Sequence, residues 1–249
     1  LLPLVARAHA RELGYPHLED PYAQRMLRTL AVDPRPLLRH RLALALVLRR
    51  SGVMDQWSRE FLERHPAAAV VNLGAGLCTR FYRIDNGRLR WLDLDVPEVV
   101  ELRARCVPPD TLHRFPRGDR YRVEAGSIVT AQWRLGLEGA EDRPALVICE
   151  GVLVYFTADV VRTVVHRIID GLPAGGALLI DHAHPMLVAL SGWLPVLRTL
   201  GLRFSWGLAS PRRLTVGHPR LSLAASRPIL PWMYGAAAFE IRAVRGQTV

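Results

Sequence analysis

A largely parallel α/β sheet with helices in its connections follows from three features of the sequence. Short apolar runs of strand length alternate with segments of helical spacing. One run, Ala69–Leu73, passes directly into Gly74-Ala75-Gly76, a small-residue turn of the kind that leads from a strand into a helix. Another, Ala145–Cys149, is apolar at every position, as a strand covered on both faces should be. The chain has 249 residues, 50% of them hydrophobic, which suffices for one large domain with a sizeable core.

Residues 1–66 read as a helical cap and residues 67–249 as the sheet-bearing part of the same structural unit. Asp20 is placed to cap a helix that has Pro21 in its first turn. Residues 42–48 suggest a buried helix, and residues 55–64 carry Trp57, Phe61 and Leu62 at helical spacing up to Pro66. Residues 89–94 form a second strand, and Pro97 opens a helix that runs to Cys106. A weaker third strand covers 121–124 and the fourth is Ala145–Cys149. Residues 158–172 place Val160, Val161, Val164, Val165 and Ile168 on one helical face. A turn over 171–176 leads to a fifth strand at 177–181. Residues 186–200 suggest a helix kinked near Pro195, and residues 239–244 a closing strand. In such sheets ligands sit beyond the carboxyl ends of the strands, near the point where strand order reverses. The N-terminal helices are expected to pack over that rim, where they would cover a substrate.

The formal net charge is +10, and all 33 basic residues are Arg. Much of this excess fits the composition of a GC-rich genome and a solvated basic surface. An anionic substrate or a nucleic acid is the sharper reading. No long Arg run or basic stripe interleaved with aromatics is present, so nucleic acid is not expected. Cys78, Cys106 and Cys149 form no CxxC pair or disulfide framework, which points to a reducing cytoplasm. No stretch is long and apolar enough to cross a membrane, and no signal peptide is evident.

The chemistry concentrates after the first strand. Glycines at 74 and 76 let the backbone pass close to a ligand with no Cβ in the way. Asp93 and Asp95 follow Gly74 by about 20 residues, at the end of the next strand, where a carboxylate can accept from both hydroxyls of a ribose. Asp95 can equally cap the helix that Pro97 opens. A dinucleotide turn would place a third glycine where Thr79 stands, and no Lys is available for a diphosphate. A nucleoside cofactor without phosphates is therefore expected, and S-adenosylmethionine fits, with its zwitterionic amino-acid end and its adenosine.

The chain resembles the leucine carboxyl methyltransferase family, and within it the bacterial polyketide O-methyltransferase branch of the tetracenomycin type. The resemblance covers nearly the whole chain. Its motifs are Pro3-Leu4-Val5-Ala6-Arg7-Ala8, Asp20-Pro21-Tyr22-Ala23, Arg50 with Asp55 before Trp57, and Asn72-Leu73-Gly74-Ala75-Gly76-Leu77. Thr79-Arg80-Phe81-Tyr82-Arg83, Trp91-Leu92-Asp93-Leu94-Asp95-Val96-Pro97-Glu98-Val99 and Glu150-Gly151-Val152-Leu153-Val154-Tyr155 complete the set. The resemblance implies a Rossmann-like class I methyltransferase sheet, mostly parallel, with an N-terminal helical cap. It implies S-adenosylmethionine as cofactor and S-adenosylhomocysteine as product. By it, Gly74, Ala75 and Gly76 would line the methionine part, Arg50 would meet the cofactor carboxylate, Asp95 would hold the ribose, and Glu150 would lie near the amino group. Residue types agree, since an Arg fork matches a carboxylate and a carboxylate matches an ammonium.

Three positions depart from the family pattern. Cys78 stands where the family has Asp, and Thr130 stands where an Asp would bind the adenine amino group. The basic residue expected before Pro3 lies outside the chain. Thr130 can still donate or accept a hydrogen bond there.

Methyl transfer from a sulfonium is an in-line displacement that needs an aligned, desolvated nucleophile. A carboxylate acceptor needs no base, whereas a phenol or enol benefits from one. The candidates are His182 and His184, beside Asp181; each is also readable as a capping or surface histidine. No third ligand accompanies the pair, so no metal is expected. Tyr22, Trp57, Tyr155, Trp193, Trp206, Trp232 and Tyr234 are candidates for a flat acceptor pocket, with Tyr155 and Trp193 best placed.

The leading reading is a methyltransferase acting on the carboxyl or hydroxyl of a small molecule of natural-product type, with acidic and carrier-bound acceptors among the candidates. A second is the same fold turned to a cyclisation, rearrangement or elimination, which Cys78 and Thr130 motivate. A third is a non-catalytic or nucleic-acid binding module, motivated by charge.

Overall fold

The computed structural model describes residues 1–106, 120–130 and 132–244. Among the described residues the sheet has seven strands in the order β3-β2-β1-β4-β5-β7-β6. These are β1 (Ala69–Leu73), β2 (Arg90–Asp95), β3 (Tyr121–Ala125), β4 (Ala145–Cys149), β5 (Gly176–Ala183), β6 (Leu221–Leu230) and β7 (Tyr234–Ile241). β1 to β5 are parallel; β7 runs antiparallel to both β5 and β6. The mostly parallel α/β sheet is as the sequence implies.

Strand alternation separates two cores. On one face Val71, Leu73, Leu92, Leu94, Val147 and Cys149 pack against Val161, Val164, Val165 and Ile168 of α7 (Ala158–Gly171). On the other, Val70, Trp91, Leu146 and Ile148 meet Met54, Trp57, Phe61 and Leu62 of α4 (Arg41–Arg64). Cys149 is core packing, as its apolar run implies.

The two helical segments read around residues 42–48 and 55–64 are one 24-residue helix. Gly52 does not break it, and Leu18 packs beside that glycine. The helix is about 36 Å long at 1.5 Å per residue. Its first half joins a third core with α1 (Leu2–Ala8) and α2 (Pro21–Thr29), where Leu44, Val47 and Leu48 pack with Leu4, Val5, Met26 and Leu27. α4 therefore ties the cap to the sheet, and Arg50 and Ser51 lie between its two packed halves. Asp20 caps α2 by accepting from the Ala23 amide at 3.0 Å.

Three expectations need correction. Residues 186–200 are not a kinked helix but α8 (Pro185–Leu190), a 3-10 turn (Ser191–Trp193) and α9 (Pro195–Thr199). Pro195 cannot continue the hydrogen-bond ladder, and Ser191 Oγ donates to Val188 O and accepts from the Phe204 amide, which fixes the break. The closing strand spans Tyr234–Ile241 instead of 239–244, because pairing with strands on both sides outweighs the weak strand propensity of Gly235-Ala236-Ala237-Ala238. Finally, β6 was not expected: it is an edge strand that contains Pro228 and two register shifts. α3 (Arg35–Leu38), α5 (Arg80–Ile84) and α6 (Pro97–Cys106) complete the helices named below.

Candidate active site

Strand order reverses between β1 and β4, so the crevice beyond their carboxyl ends is the ligand position of this sheet. The glycine turn follows β1 there. Gly74 and Gly76 have φ of +64° and +54°. The Gly74 and Ala75 amides both donate to Leu94 O, at 2.8 and 3.2 Å, which pins the turn to β2. A Cβ at Gly74 would run into Val152, whereas nothing lies within 4 Å of a Cβ at Gly76. Gly76 thus borders open space, a cradle that one methyl group would begin to fill.

Asp95 faces this cradle from the end of β2. Its Oδ2 accepts from the Gly76 amide at 2.6 Å and its Oδ1 from the Val96 amide at 2.8 Å. Among the described residues Asp95 bonds no first-turn amide of α6, so it is not the helix cap that the sequence allows; the Gly76 and Val96 amides orient the carboxylate instead, and each oxygen keeps a lone pair for another donor. Asp93 is different. It is buried and accepts from Asn72 Nδ2, Trp91 Nε1, Arg103 Nη2 and Tyr121 OH at 2.7–2.8 Å. Its capacity is spent on holding α6 and β3.

Two arginines grip the turn from outside. Arg7 of α1 donates to Leu77 O at 2.7 Å, and Arg103 of α6 to Gly76 O at 2.9 Å. Thr130, in the turn after β3, is exposed, and its hydroxyl donates to Ser127 O at 2.8 Å.

Glu150 ends β4 on the far side of the cradle. Its Oε1 accepts from Arg50 Nε at 2.9 Å and from Ser51 Oγ at 2.8 Å, and its Oε2 accepts from Arg80 Nη2. Burial alone would raise this carboxyl, but Arg80 and Arg50 outweigh it and hold the group far below the usual carboxylate range. Arg50 also reaches Asp181 at 3.3 Å and Tyr234 OH at 2.7 Å through Nη1. Its guanidinium lies across Gly151, φ +68°, where a Cβ would come within 3.0 Å of Nη2. Among the described residues Nη2 makes no hydrogen bond.

These pairs belong to a longer series. Arg7 meets Asp20 at 2.9 Å, Asp20 meets Arg83 at 3.6 Å, Arg83 meets Asp55 at 2.8 Å, and Asp55 meets Arg80 at 2.6 Å. Arg80 meets Glu150, Glu150 meets Arg50, and Arg50 meets Asp181. Four guanidinium groups and four carboxylates alternate from the first helix to β5 with no net charge. Buried ions survive only with such partners.

His182 and His184 separate in the structure. His184 is the N-cap of α8, its Nδ1 accepting from the Met186 amide at 3.3 Å. His182 is buried, and among the described residues neither ring nitrogen has a hydrogen-bond partner. Burial lowers its pKa, against a smaller opposing effect of Asp181. Tyr155 is 38% exposed, edge-on to Phe204 at 5.7 Å, and burial raises its phenol pKa, with Arg50 and Asp181 close enough to be felt. Of the other aromatics, Trp57 and Trp206 are core, Tyr22 stacks on Tyr82, and Tyr234 is bound to Asp181 and Arg50. Trp193 and Trp232 are 78% and 67% exposed. Among the described residues no group of three or more His, Cys, Asp or Glu could hold a metal, and no helix is long and apolar enough to cross a membrane.

The residues fit the amino-acid and ribose ends of S-adenosylmethionine. The Gly76 turn, Asp95 and Glu150 stand at the ends of the adjacent strands β1, β2 and β4, with Arg50 reaching Glu150 from α4; Arg50 and Glu150 carry charges opposite to those of a carboxylate and an ammonium, and Asp95 can accept from hydroxyls. Sequence reasoning quoted Asp55 and Arg80 within motifs and Asp181 beside the histidines, but gave none of them a role in the site. The available signal was Ser51, Asp55 and Ser58 on the same helical stripe as Val47, Met54 and Leu62, since a carboxylate on a buried face requires a partner.

The family profile described as leucine carboxyl methyltransferase matches residues 2–169. The chain is 31% identical to the tetracenomycin polyketide synthesis O-methyltransferase TcmP of Streptomyces glaucescens, over 98% of this chain and 91% of that protein. It is 28% identical to the S-adenosyl-L-methionine-dependent methyltransferase dpfgK of Gibberella zeae, over 89% of this chain and 78% of that one. Among solved structures it resembles an O-methyltransferase family protein from Burkholderia thailandensis, with a TM-score of 0.55 and 20% identity over 98% of this chain and 72% of that one. It also resembles magnesium protoporphyrin IX methyltransferase from Synechocystis, with a TM-score of 0.57 and 10% identity over 98% of each chain. Both structures carry the class I methyltransferase fold.

Proposed function

The chain belongs to the leucine carboxyl methyltransferase family, and from that premise we propose that this S-adenosylmethionine-dependent O-methyltransferase acts on a carboxyl or hydroxyl group of a polyketide-type aromatic small molecule. One observation carries the reading: Asp95, the Gly74-Ala75-Gly76 turn and the Arg50–Glu150 pair converge on the switch point of the sheet. The two other readings of the sequence find no support in these relatives, which are named as methyltransferases.

The cofactor supplies an electrophilic methyl group on a sulfonium; the remaining work falls to residues of this chain. Asp95 holds the ribose hydroxyls in an orientation set by two backbone amides. Arg50, held from inside through Nε and Nη1, presents Nη2 to the cofactor carboxylate. Glu150, kept ionised by its arginines, faces the ammonium. Gly74 and Gly76 keep side chains out of the space between, and Ala75 adds only a methyl group. Thr130 takes the adenine side with its exposed hydroxyl, in place of the family carboxylate.

On the acceptor side, Tyr155 and Phe204 offer an apolar edge for a flat ring. A carboxylate acceptor arrives as a nucleophile. A hydroxyl acceptor needs a base, and His182 is the better of the two histidines, because His184 is committed to its helix cap. Basic surface favours an acidic acceptor, free or carrier-bound. The test is transfer of labelled methyl from S-adenosylmethionine to a panel of aromatic acids and phenols. Ester or ether products support the reading; consumption of acceptor without methyl incorporation opposes it.

A further inference from the structure

Arg80 opens α5 and is 1% exposed, one of the largest fully buried side chains of the protein. Its Nε donates to Asp55 Oδ1 at 2.6 Å and its Nη2 to Glu150 Oε2. Asp55, fully buried on α4, is held in turn by Arg83 at 2.8 Å. A guanidinium is planar and rigid, so fixing one edge fixes the direction of the other. Arg80 is therefore a strut between the cap helix and one oxygen of Glu150. Arg50 and Ser51 hold the other oxygen. Three donors from two elements converge on a single carboxylate, which sets both its charge and its plane.

We infer that Arg80 and Asp55 are positioning residues for cofactor recognition: Asp55 fixes the Arg80 fork, Arg80 fixes Glu150, and Glu150 so held selects for a free α-amino group. The inference rests on Glu150 facing the cofactor ammonium, as proposed above. Arg80 reads as a fold contact alone unless its effect is confined to that ammonium.

The experiment is calorimetric titration of the full chain with S-adenosylhomocysteine and with its analogue lacking the α-amino group. The variants are Arg80→Lys, Asp55→Asn and Glu150→Gln. Lys keeps the charge of Arg80 but cannot span both carboxylates, which guards against loss of the fold. Arg80→Lys should weaken S-adenosylhomocysteine by about tenfold or more while moving the deaminated analogue by less than about twofold. Asp55→Asn should repeat this pattern more weakly, and Glu150→Gln more strongly. Equal losses for both ligands, or none, in folded Arg80→Lys would overturn the positioning role. Intact preference for the amino group in Glu150→Gln would overturn the placement of Glu150 itself, and the inference with it. Failure of wild type to bind either ligand would remove the functional reading as a whole.

Discussion

Arg50 Nε stands 2.9 Å from Glu150 Oε1, joining the middle of the cap helix to the end of β4 across 100 residues of sequence. The pair joins the N-terminal helices to the sheet at the edge of the proposed cofactor site. Breaking it from one side leaves buried charge without a partner. Glu150→Ala should therefore cost about 3–5 kcal/mol of stability. Glu150→Gln keeps the shape and one of the two acceptor oxygens and should cost less. Chemical denaturation of both variants checks the order; equal stability of Ala and Gln forms would contradict it.

The two glycines of the turn should respond differently to alanine. At Gly74 the new Cβ meets Val152 in addition to adopting an unfavourable φ, so Gly74→Ala should lose about 2–4 kcal/mol of stability. At Gly76 the space is open, and Gly76→Ala should lose only about 1–2 kcal/mol. The Gly76 variant should nevertheless bind cofactor poorly, because its methyl enters the cradle. Melting and cofactor titration measured side by side separate the two effects.

His182 supplies a pH signature. Burial lowers its pKa, so the ring stays neutral at and below the usual histidine value of about 6.5 and gains a proton only in more acid solution. Methylation of a hydroxyl acceptor should be level through neutral pH and fall only below about 6.5. His182→Gln should slow it by about 10²–10⁴-fold and leave a carboxylate acceptor nearly unaffected. Equal slowing of both acceptor types would assign His182 to packing.

The alternating charges predict acid lability. Asp20, Asp55 and Glu150 all have pKa values held below normal by their arginines, against burial. In the unfolded chain these carboxyls bind protons near pH 4, and in the fold only at lower pH. Their contribution is thus full above about pH 5 and is lost as the pH falls through the folded values. Tm should hold steady from pH 7 to about 5 and drop below about 4. A Tm independent of pH down to 3 would contradict the account.

The sheet was legible because its central strands are apolar and short. The Gly74 turn was legible because a positive φ after a strand calls for glycine, and Asp95 because it ends the next apolar strand at a fixed spacing from that turn. β6 was not, since an edge strand with Pro228 tolerates a weak pattern, and β7 was shortened because Gly235 through Ala238 carry little strand signal. The contact between Asp55 and Arg80 escaped for another reason. Twenty-five residues and a change of element separate them, and only folding places Arg80 Nε 2.6 Å from Asp55. Asp93 and Asp95 show the same limit: two acids two positions apart proved to be a packed anchor and a rim group.

The measurement that bears most directly on the central claim is calorimetric titration of cofactor-free protein with S-adenosylhomocysteine, wild type beside Asp95→Ala. Wild type should bind in the micromolar range, and Asp95→Ala should lose about tenfold or more while remaining folded, with a modest loss of stability from the two amide bonds that its carboxylate makes. No binding to the folded wild-type chain, or equal binding by the variant, would contradict the site described above.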